Sequence, residues 1–323
     1  MPELTPVSNT ITDMTSLDID QLRANLPKLD WGSGPNRDPL IDAYFAYYGL
    51  DFPGVAHFFG VFPAAGEAIA AHVFRPASKR ATVIAVHGYY DHVGAWRHAI
   101  GYLTARGFTV AIYDQIGHGL SSGERAVIRD FSCYQAAFLE FLSLCRAHLL
   151  GPYHLIGHSM GAAVIVDALL RQAPPVDGVV LLAPLIRSAH WRLSRVVNGL
   201  FGLAVDSLPR VFRDNSSDPD FTSFVKHDPL QARVVPLQWF RSLARWYTDI
   251  QTAGPSDKHL RIIQGTSDKV VDWRYNLAFL EQRFPGAEIN LLAGGGHQLI
   301  NEAPVLRERV FELISLHLTD DTH

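Results

Sequence analysis

Short apolar runs alternate with helical segments along most of this 323-residue chain, and this alternation limits the fold more than any other feature. The predicted strands are residues 82–86, 108–113, 153–156, 179–182, 260–264 and 288–292, and the predicted helices are residues 94–105, 130–148, 160–170, 273–283 and 303–317. Two further predicted strands, residues 55–62 and 68–74, come before the alternation. Strands and helices at this spacing form a mostly parallel sheet with helices on both faces. The sequence therefore predicts an α/β fold.

The alternation is interrupted after residue 183 by a long segment rich in Arg, Trp and Pro. Because structureless loops of that length are uncommon inside a domain, we predict a helical cap at residues 184–254, inserted into a core of residues 51–183 and 255–323. Residues 1–50 are assigned to an N-terminal arm, of which residues 1 to about 40, with five prolines, are predicted to be extended over the domain or disordered at the tip. We assign the arm no chemistry.

Part of the predicted cap carries apolar side chains at helical spacing. They are Leu193, Val196, Val197, Leu200, Phe201, Ala204, Val205 and Leu208. Such a stripe is typical of packing against neighbouring protein, and the alternative is a face toward substrate or a membrane surface. We therefore weigh peripheral membrane contact through the cap as the second interpretation.

Composition excludes several classes of protein. With 28 Lys+Arg against 32 Asp+Glu the net charge is −4, so we expect no nucleic-acid partner. No apolar stretch approaches the ~20 residues of a membrane span. Cys133 and Cys145 lie in one predicted helix, too far apart to bridge, and residues 1–20 lack the regions of a signal peptide. We expect a cytoplasmic protein and leave its oligomeric state open.

A G-x-S-x-G pentapeptide at residues 157–161 follows the predicted strand 153–156 and opens the predicted helix 160–170. In this strand-turn-helix setting the pattern predicts a nucleophile elbow, with Ser159 as the nucleophile. The sharp turn brings the flanking positions together, so that only residues as small as Gly157 and Gly161 fit. The helix N-terminus then directs free N–H groups at an anion formed beside the hydroxyl.

A serine hydroxyl needs a base to accept its proton, and the chain offers fifteen histidines. His297 is the predicted base, because it follows the strand 288–292 and three glycines, at the sheet edge where the elbow opens. His158 lies inside the elbow and should point away from the hydroxyl, and His118 is predicted to shape its glycine-flanked turn.

The base in turn needs a carboxylate to fix its tautomer. Asp268 directly follows the strand 260–264 at the same edge and is the predicted partner. Asp272 is predicted to cap the next helix, and Asp257 precedes the strand and so lies at the other end of it.

Two backbone amides are expected to form an oxyanion hole. Met160 follows the nucleophile, and Tyr89 stands in the loop after the strand 82–86. Nearby His87, Asp91 and His92 superficially suggest metal ligands, but no third histidine or cysteine has a compatible spacing, so turn-forming roles are favoured and no metal is predicted.

Together these motifs resemble the α/β-hydrolase superfamily, and within it the monoacylglycerol lipases and lysophospholipase-like serine hydrolases. The matching features are His87-Gly88, Asp114 with Gly117-His118-Gly119, Ser121 or Ser122 with Gly123-Glu124-Arg125, the elbow, Gln264-Gly265 with Asp268, and Gly296-His297. The resemblance implies an α/β-hydrolase fold and cofactor-free hydrolysis of a carboxylic ester, often a monoacylglycerol or lysolipid and otherwise another ester of an apolar acyl group, with a cap over the acyl site. It covers residues 82–183 and 260–302.

Two other functions fit the same residues. An amidase, aminopeptidase or carbon–carbon hydrolase uses the same triad, and a ligand-binding protein keeps the fold without turnover. A complete set of nucleophile, base and acid disfavours the binding protein, since a receptor needs no such set. We therefore predict a serine esterase acting on a small-molecule ester.

Overall fold

The computed structural model describes residues 17–32, 37–191 and 205–320 of the chain. Ten strands are described: β1 (Val55–Ala64), β2 (Glu67–Pro76), β3 (Ala81–Val86), β4 (Phe108–Tyr113), β5 (Tyr153–His158), β6 (Val179–Leu182), β7 (Ser207–Pro209), β8 (Val234–Pro236), β9 (Arg261–Gly265) and β10 (Glu288–Leu292). The described helices are α1 (Ile19–Ala24), α2 (Pro39–Tyr48), α3 (Arg97–Thr104), α4 (Ser132–His148), α5 (Met160–Arg171), α6 (Pro219–His227), α7 (Leu237–Ile250), α8 (Trp273–Arg283) and α9 (Pro304–Asp320).

Eight of the strands form one sheet in the order β1-β2-β4-β3-β5-β6-β9-β10. Strand β2 is antiparallel to β1 and β4, and the remaining pairs are parallel. This mostly parallel sheet confirms the predicted α/β class. After β3 the chain places β4 on one side and β5 on the other, so a crevice opens at the carboxyl ends of these strands.

Helices cover both faces of the sheet, as the apolar strands require. Side chains of α1, α2, α3 and α9 pack into one buried cluster, and those of α4, α5, α7 and α8 pack into another on the opposite face. Strands β3 and β4 lie between these layers, with every residue buried. The carboxyl edge of the sheet is therefore held rigidly from both sides.

The extended conformation predicted for the start of the arm is wrong at Ile19–Ala24, which forms helix α1, and the last residues of the arm, Pro39–Tyr48, form helix α2. Asp38 caps this helix by accepting hydrogen bonds from the amides of Leu40 and Ile41. Pro39 is compatible with the first position of the helix, because that position needs no N–H donor. This proline therefore begins a helix, whereas we took it as a sign of extended chain. Tyr44, Phe45 and Tyr48 are fully buried, among the largest side chains of the core.

The segment between β6 and β9, here called the inserted segment, contains α6, α7 and the short antiparallel pair β7–β8. The predicted apolar stripe from Leu193 to Ala204 lies outside the described residues. Its last two members, Val205 and Leu208, are exposed, and neither lies in a helix, since Leu208 belongs to strand β7; the helical pattern therefore does not extend that far. Among the described residues, no helix is both long and apolar enough to cross a bilayer. The domain limits proposed above stay a prediction.

Several buried histidines make the folded chain sensitive to acid. Burial lowers the pKa of His72, His118 and His158 to about 3 in each case. The unfolded chain titrates near the ordinary value of about 6.5, so between these values the unfolded state binds more protons. The stability that these neutral histidines contribute is complete above about pH 6.5 and is lost as the pH falls below it.

From these three histidines and Asp91 we expect the free energy of unfolding to fall by about 2 kcal/mol between pH 6.5 and pH 5.5. The unfolded imidazole is only half protonated at pH 6.5, so each histidine costs about 1 kcal/mol over this interval, about 3 in total, and Asp91, whose pKa burial raises to about 6, offsets about 1. Urea unfolding at both pH values measures the change. His118→Asn preserves a donor toward the Ile116 carbonyl and should reduce the pH dependence, whereas exposed His227→Gln should leave it unchanged. Equal stability at both pH values would contradict the expectation.

Candidate active site

The turn between β5 and α5 places Ser159 at the carboxyl edge of the sheet. Its φ of 52° and ψ of −112° lie in a region that non-glycine residues rarely adopt. A β-carbon at position 161 would lie 2.0 Å from the Val86 carbonyl oxygen, and one at position 157 would lie 2.7 Å from Cδ1 of Ile165. Only glycine fits at Gly157 and Gly161, and the turn has the strained geometry of a nucleophile elbow.

The side chains of Ser159, His297 and Asp268 lie in one line of hydrogen bonds. Nε2 of His297 is 3.0 Å from Oγ of Ser159, and Nδ1 of His297 is 2.8 Å from Oδ2 of Asp268. All three residues are buried. An ionised carboxylate can only accept hydrogen bonds, so Nδ1 of His297 carries a proton that it donates to Asp268, and Nε2 is left unprotonated to accept the serine proton. The arrangement can therefore activate the hydroxyl as a nucleophile.

The Asp268 carboxylate remains ionised despite its burial. Burial alone would raise its pKa, but His297 and two backbone amides hold that pKa below the ordinary value. Oδ1 accepts from the amides of Val270 at 2.8 Å and Val271 at 3.2 Å, and Gln264 donates to Oδ2 at 3.2 Å. These donors fix which oxygen faces the imidazole.

The rival histidines have other partners. The His158 ring turns away from the hydroxyl, and its Nε2 donates to the His297 carbonyl oxygen at 3.0 Å. The His118 Nδ1 bonds to the Ile116 carbonyl oxygen at 2.9 Å within its own turn.

The rival carboxylates also lie elsewhere. Asp272 caps helix α8 and forms an ion pair with Arg187 at 2.7 Å. Asp257 is exposed ahead of strand β9. Neither bonds to the imidazole of His297.

Two backbone amides beside the nucleophile are available to an anion. A β-carbon at Gly88 would lie 3.2 Å from Cβ of Ser159, so the loop that continues into Tyr89 passes directly over the serine. Met160 occupies the first position of α5, where an amide has no partner within the helix. Among the described residues, no protein acceptor bonds to the amide of Tyr89 or Met160. The Tyr89 ring stacks on Trp239 at 3.8 Å and its hydroxyl bonds to the Ala126 carbonyl, which immobilises this loop.

Residues around His87 serve the turn. The Nδ1 of His87 lies 2.8 Å from the Gly88 carbonyl oxygen, and its Nε2 accepts from the Gln115 amide at 2.8 Å. Over residues 17–32, 37–191 and 205–320, no group of three or more His, Cys, Asp or Glu side chains is placed to hold a metal ion.

One buried network escaped prediction from the sequence. Asp228, in the inserted segment, lies 2.6 Å from Nε2 of His92 and accepts a hydrogen bond at 2.7 Å from the hydroxyl of Tyr48. Burial opposes ionisation of Asp228, but His92 lowers its pKa, and the carboxylate in turn raises that of His92 to about 9. The three residues join the inserted segment, helix α2 and the loop after β3. No local sequence pattern predicts this contact, because the three residues are far apart in the sequence.

A nucleophile elbow, a histidine and an aspartate, in that chain order around the carboxyl edge of a mostly parallel sheet, are the arrangement of the α/β-hydrolases. The chain belongs to the serine aminopeptidase S33 family, whose model matches residues 77–304. The expected superfamily and fold are thereby confirmed.

Similar proteins cover most of the chain. Human monoglyceride lipase is 24% identical over 310 residues, which are 90% of this chain and 96% of that protein. Monoacylglycerol lipase of Mycolicibacterium smegmatis is 28% identical over 234 residues, 69% of this chain and 83% of the relative. The crystal structure of a monoglyceride lipase from Saccharomyces cerevisiae has a TM-score of 0.70 at 18% identity, covering 82% of this chain and 95% of that one. The last comparison supports the fold alone.

Proposed function

We propose that this protein hydrolyses carboxylic esters of apolar acyl groups, with Ser159 as nucleophile, His297 as general base and acid, and Asp268 as the carboxylate that orients the histidine. The observation that carries the proposal is the continuous bonding from Ser159 through His297 to Asp268, at 3.0 and 2.8 Å. Relatives named as monoglyceride lipases support the ester substrate.

The reaction proceeds in two acyl transfers. Ser159 Oγ attacks the ester carbonyl carbon while its proton passes to Nε2 of His297. The tetrahedral anion accepts hydrogen bonds from the amides of Tyr89 and Met160, each worth about 2.7–4 kcal/mol of the barrier in such sites. Collapse breaks the bond to the alcohol oxygen, which takes the proton from His297. Water then attacks the acyl carbonyl carbon while its proton passes to Nε2 of His297. Collapse breaks the bond to Oγ of Ser159, which takes that proton as the acid is released.

The name of the family favours one alternative, an aminopeptidase or amidase with the same triad. The relatives that span most of the chain are named as lipases, so we favour the ester. Location in the cytoplasm and the absence of a nucleic-acid partner remain predictions from composition. Contact with a membrane through the inserted segment is the alternative to internal packing of the stripe between residues 193 and 204.

A matched ester and amide separate the two reactions. We expect p-nitrophenyl hexanoate to be hydrolysed and hexanoyl p-nitroanilide to stay uncleaved above the background of Ser159→Ala, because the relatives that span most of the chain are named as lipases. Release of p-nitrophenol and p-nitroaniline gives both rates directly. Preference for the anilide would overturn the assignment. A second panel, varying acyl length and alcohol size, would then define the substrate.

A further inference from the structure

The backbone on both sides of His297 is bonded to other parts of the protein. The Asn215 carbonyl oxygen, in the inserted segment, accepts hydrogen bonds from the amides of His297 and Gln298, both at 3.0 Å. On the opposite side, the ring of His158 donates to the His297 carbonyl oxygen. The position of the imidazole is therefore set by groups outside its own loop, and one of them belongs to the inserted segment.

Glu302 strengthens the same connection. This side chain is fully buried, and its Oε1 accepts from the Gly296 amide at 2.6 Å. Its Oε2 accepts from the Ser217 amide at 2.7 Å and also from the Ser217 hydroxyl. A buried carboxylate is stable only with such donors around it. One carboxylate thus joins the residue before His297 to the inserted segment.

The contact leaves no free space. A β-carbon at Gly296 would lie 2.9 Å from the Asn215 carbonyl oxygen and 2.9 Å from Oε1 of Glu302. The backbone at Gly296 is consequently packed directly against the backbone at Asn215. A displacement of the inserted segment at this point must move the loop that carries His297, because close-packed interiors transmit displacements.

We propose that Glu302, with the Asn215 carbonyl and Ser217, is a clamp that positions His297, so that the inserted segment supports catalysis. Glu302 acts through Gly296 and His297 and does not touch the reacting atoms. The inference rests on the proposed role of His297 as base. A misplacement of about 1 Å in such a site costs about 10²-fold in rate, so small losses in the clamp are measurable.

Glu302→Gln tests the clamp with little change in volume. Its amide NH₂ would face one of the amides that now donate to the carboxylate. We expect kcat for the ester to fall between about 10-fold and 10²-fold, with KM changed less than about twofold. Ser217→Ala removes one donor and should give a smaller loss in the same direction. Ser216→Ala is the matched control, because its hydroxyl donates to the Asn301 carbonyl oxygen in the same region without contacting Glu302.

Rates should be divided by the active-site concentration titrated with a fluorophosphonate, so that unfolded protein does not contribute. A role confined to stability would lower Tm in Glu302→Gln and leave kcat per titrated site unchanged, and that result would overturn the proposal. The downfield NMR signal of the proton between His297 and Asp268 should shift or broaden in Glu302→Gln and stay in place in Ser216→Ala. If the wild-type protein neither reacts with the probe nor cleaves esters, the proposed function fails. If it does both and Glu302→Gln retains full kcat, the clamp alone fails.

Discussion

Replacement of Ser159 by alanine is expected to lower kcat for the ester by about 10⁶-fold, the loss typical of an enzyme whose nucleophile is removed. Without Oγ no acyl-enzyme forms, and only substrate binding and the two backbone amides still act on water. The variant should fold, because alanine is smaller than serine and keeps the same backbone demands at φ 52°.

Two measurements make the result on Ser159 specific. Mass spectrometry after treatment with a fluorophosphonate should find the modification on the peptide that contains residue 159, and none in Ser159→Ala. The circular dichroism spectrum and the urea midpoint should match the wild-type protein. Residual hydrolysis above 1% of wild type, in protein free of contaminating esterases, would show that another residue performs the attack.

Asp268→Asn is expected to lower kcat by about 10⁴-fold through a change of tautomer. Val270 and Val271 donate to Oδ1, so the amide oxygen of an asparagine would take that side and its NH₂ would face His297. The imidazole must then accept at Nδ1 and carry its proton on Nε2. A protonated Nε2 cannot accept the proton of Ser159, which removes base catalysis and leaves the geometry almost intact.

Asp272→Asn is the matched control for this prediction, since Asp272 also follows β9 but caps helix α8. Asparagine caps a helix about as well as aspartate, so this substitution keeps the cap and removes the partly exposed ion pair with Arg187. It should cost at most about 1 kcal/mol of stability and leave kcat unchanged. Steady-state kinetics give kcat for both variants, and urea unfolding gives the free energy of unfolding of each for comparison. A large loss of kcat in Asp272→Asn with normal activity in Asp268→Asn would exchange their roles.

Local sequence patterns predicted correctly those parts of the molecule that are determined by residues close together in the sequence. Strands β4, β6 and β10 and helix α8 begin and end at the predicted residues, because apolar runs bounded by turn residues specify them. The elbow could be recognised from two glycines and a serine within five residues, although the contact that requires glycine at position 161 is made with the Val86 carbonyl of strand β3. Asp268 and His297 could be chosen because the ends of parallel strands share one edge.

The N-terminal region shows where local reasoning is ambiguous. Proline interrupts a helix at most positions and favours one at its start, so Pro39 fits both an extended arm and helix α2. The burial of Tyr44 and Phe45 against the sheet decides between them, and that burial depends on strands β1 and β2, which follow in the chain.

The contacts that hold the loops of Tyr89 and His297 cannot be predicted from local sequence patterns. Ser217 and Glu302 are 85 residues apart in the chain, and His92 and Asp228 are 136 apart. Periodicity and turn chemistry describe a residue's neighbours within a few positions, whereas a buried carboxylate is paired with whichever donor the packed loops bring to it. The sequence alone determined which residues could form the site and at which edge of the sheet they lie. Only the tertiary structure determined what holds His297 and the loop at Tyr89 in place, because that support depends on how the inserted segment packs against this edge.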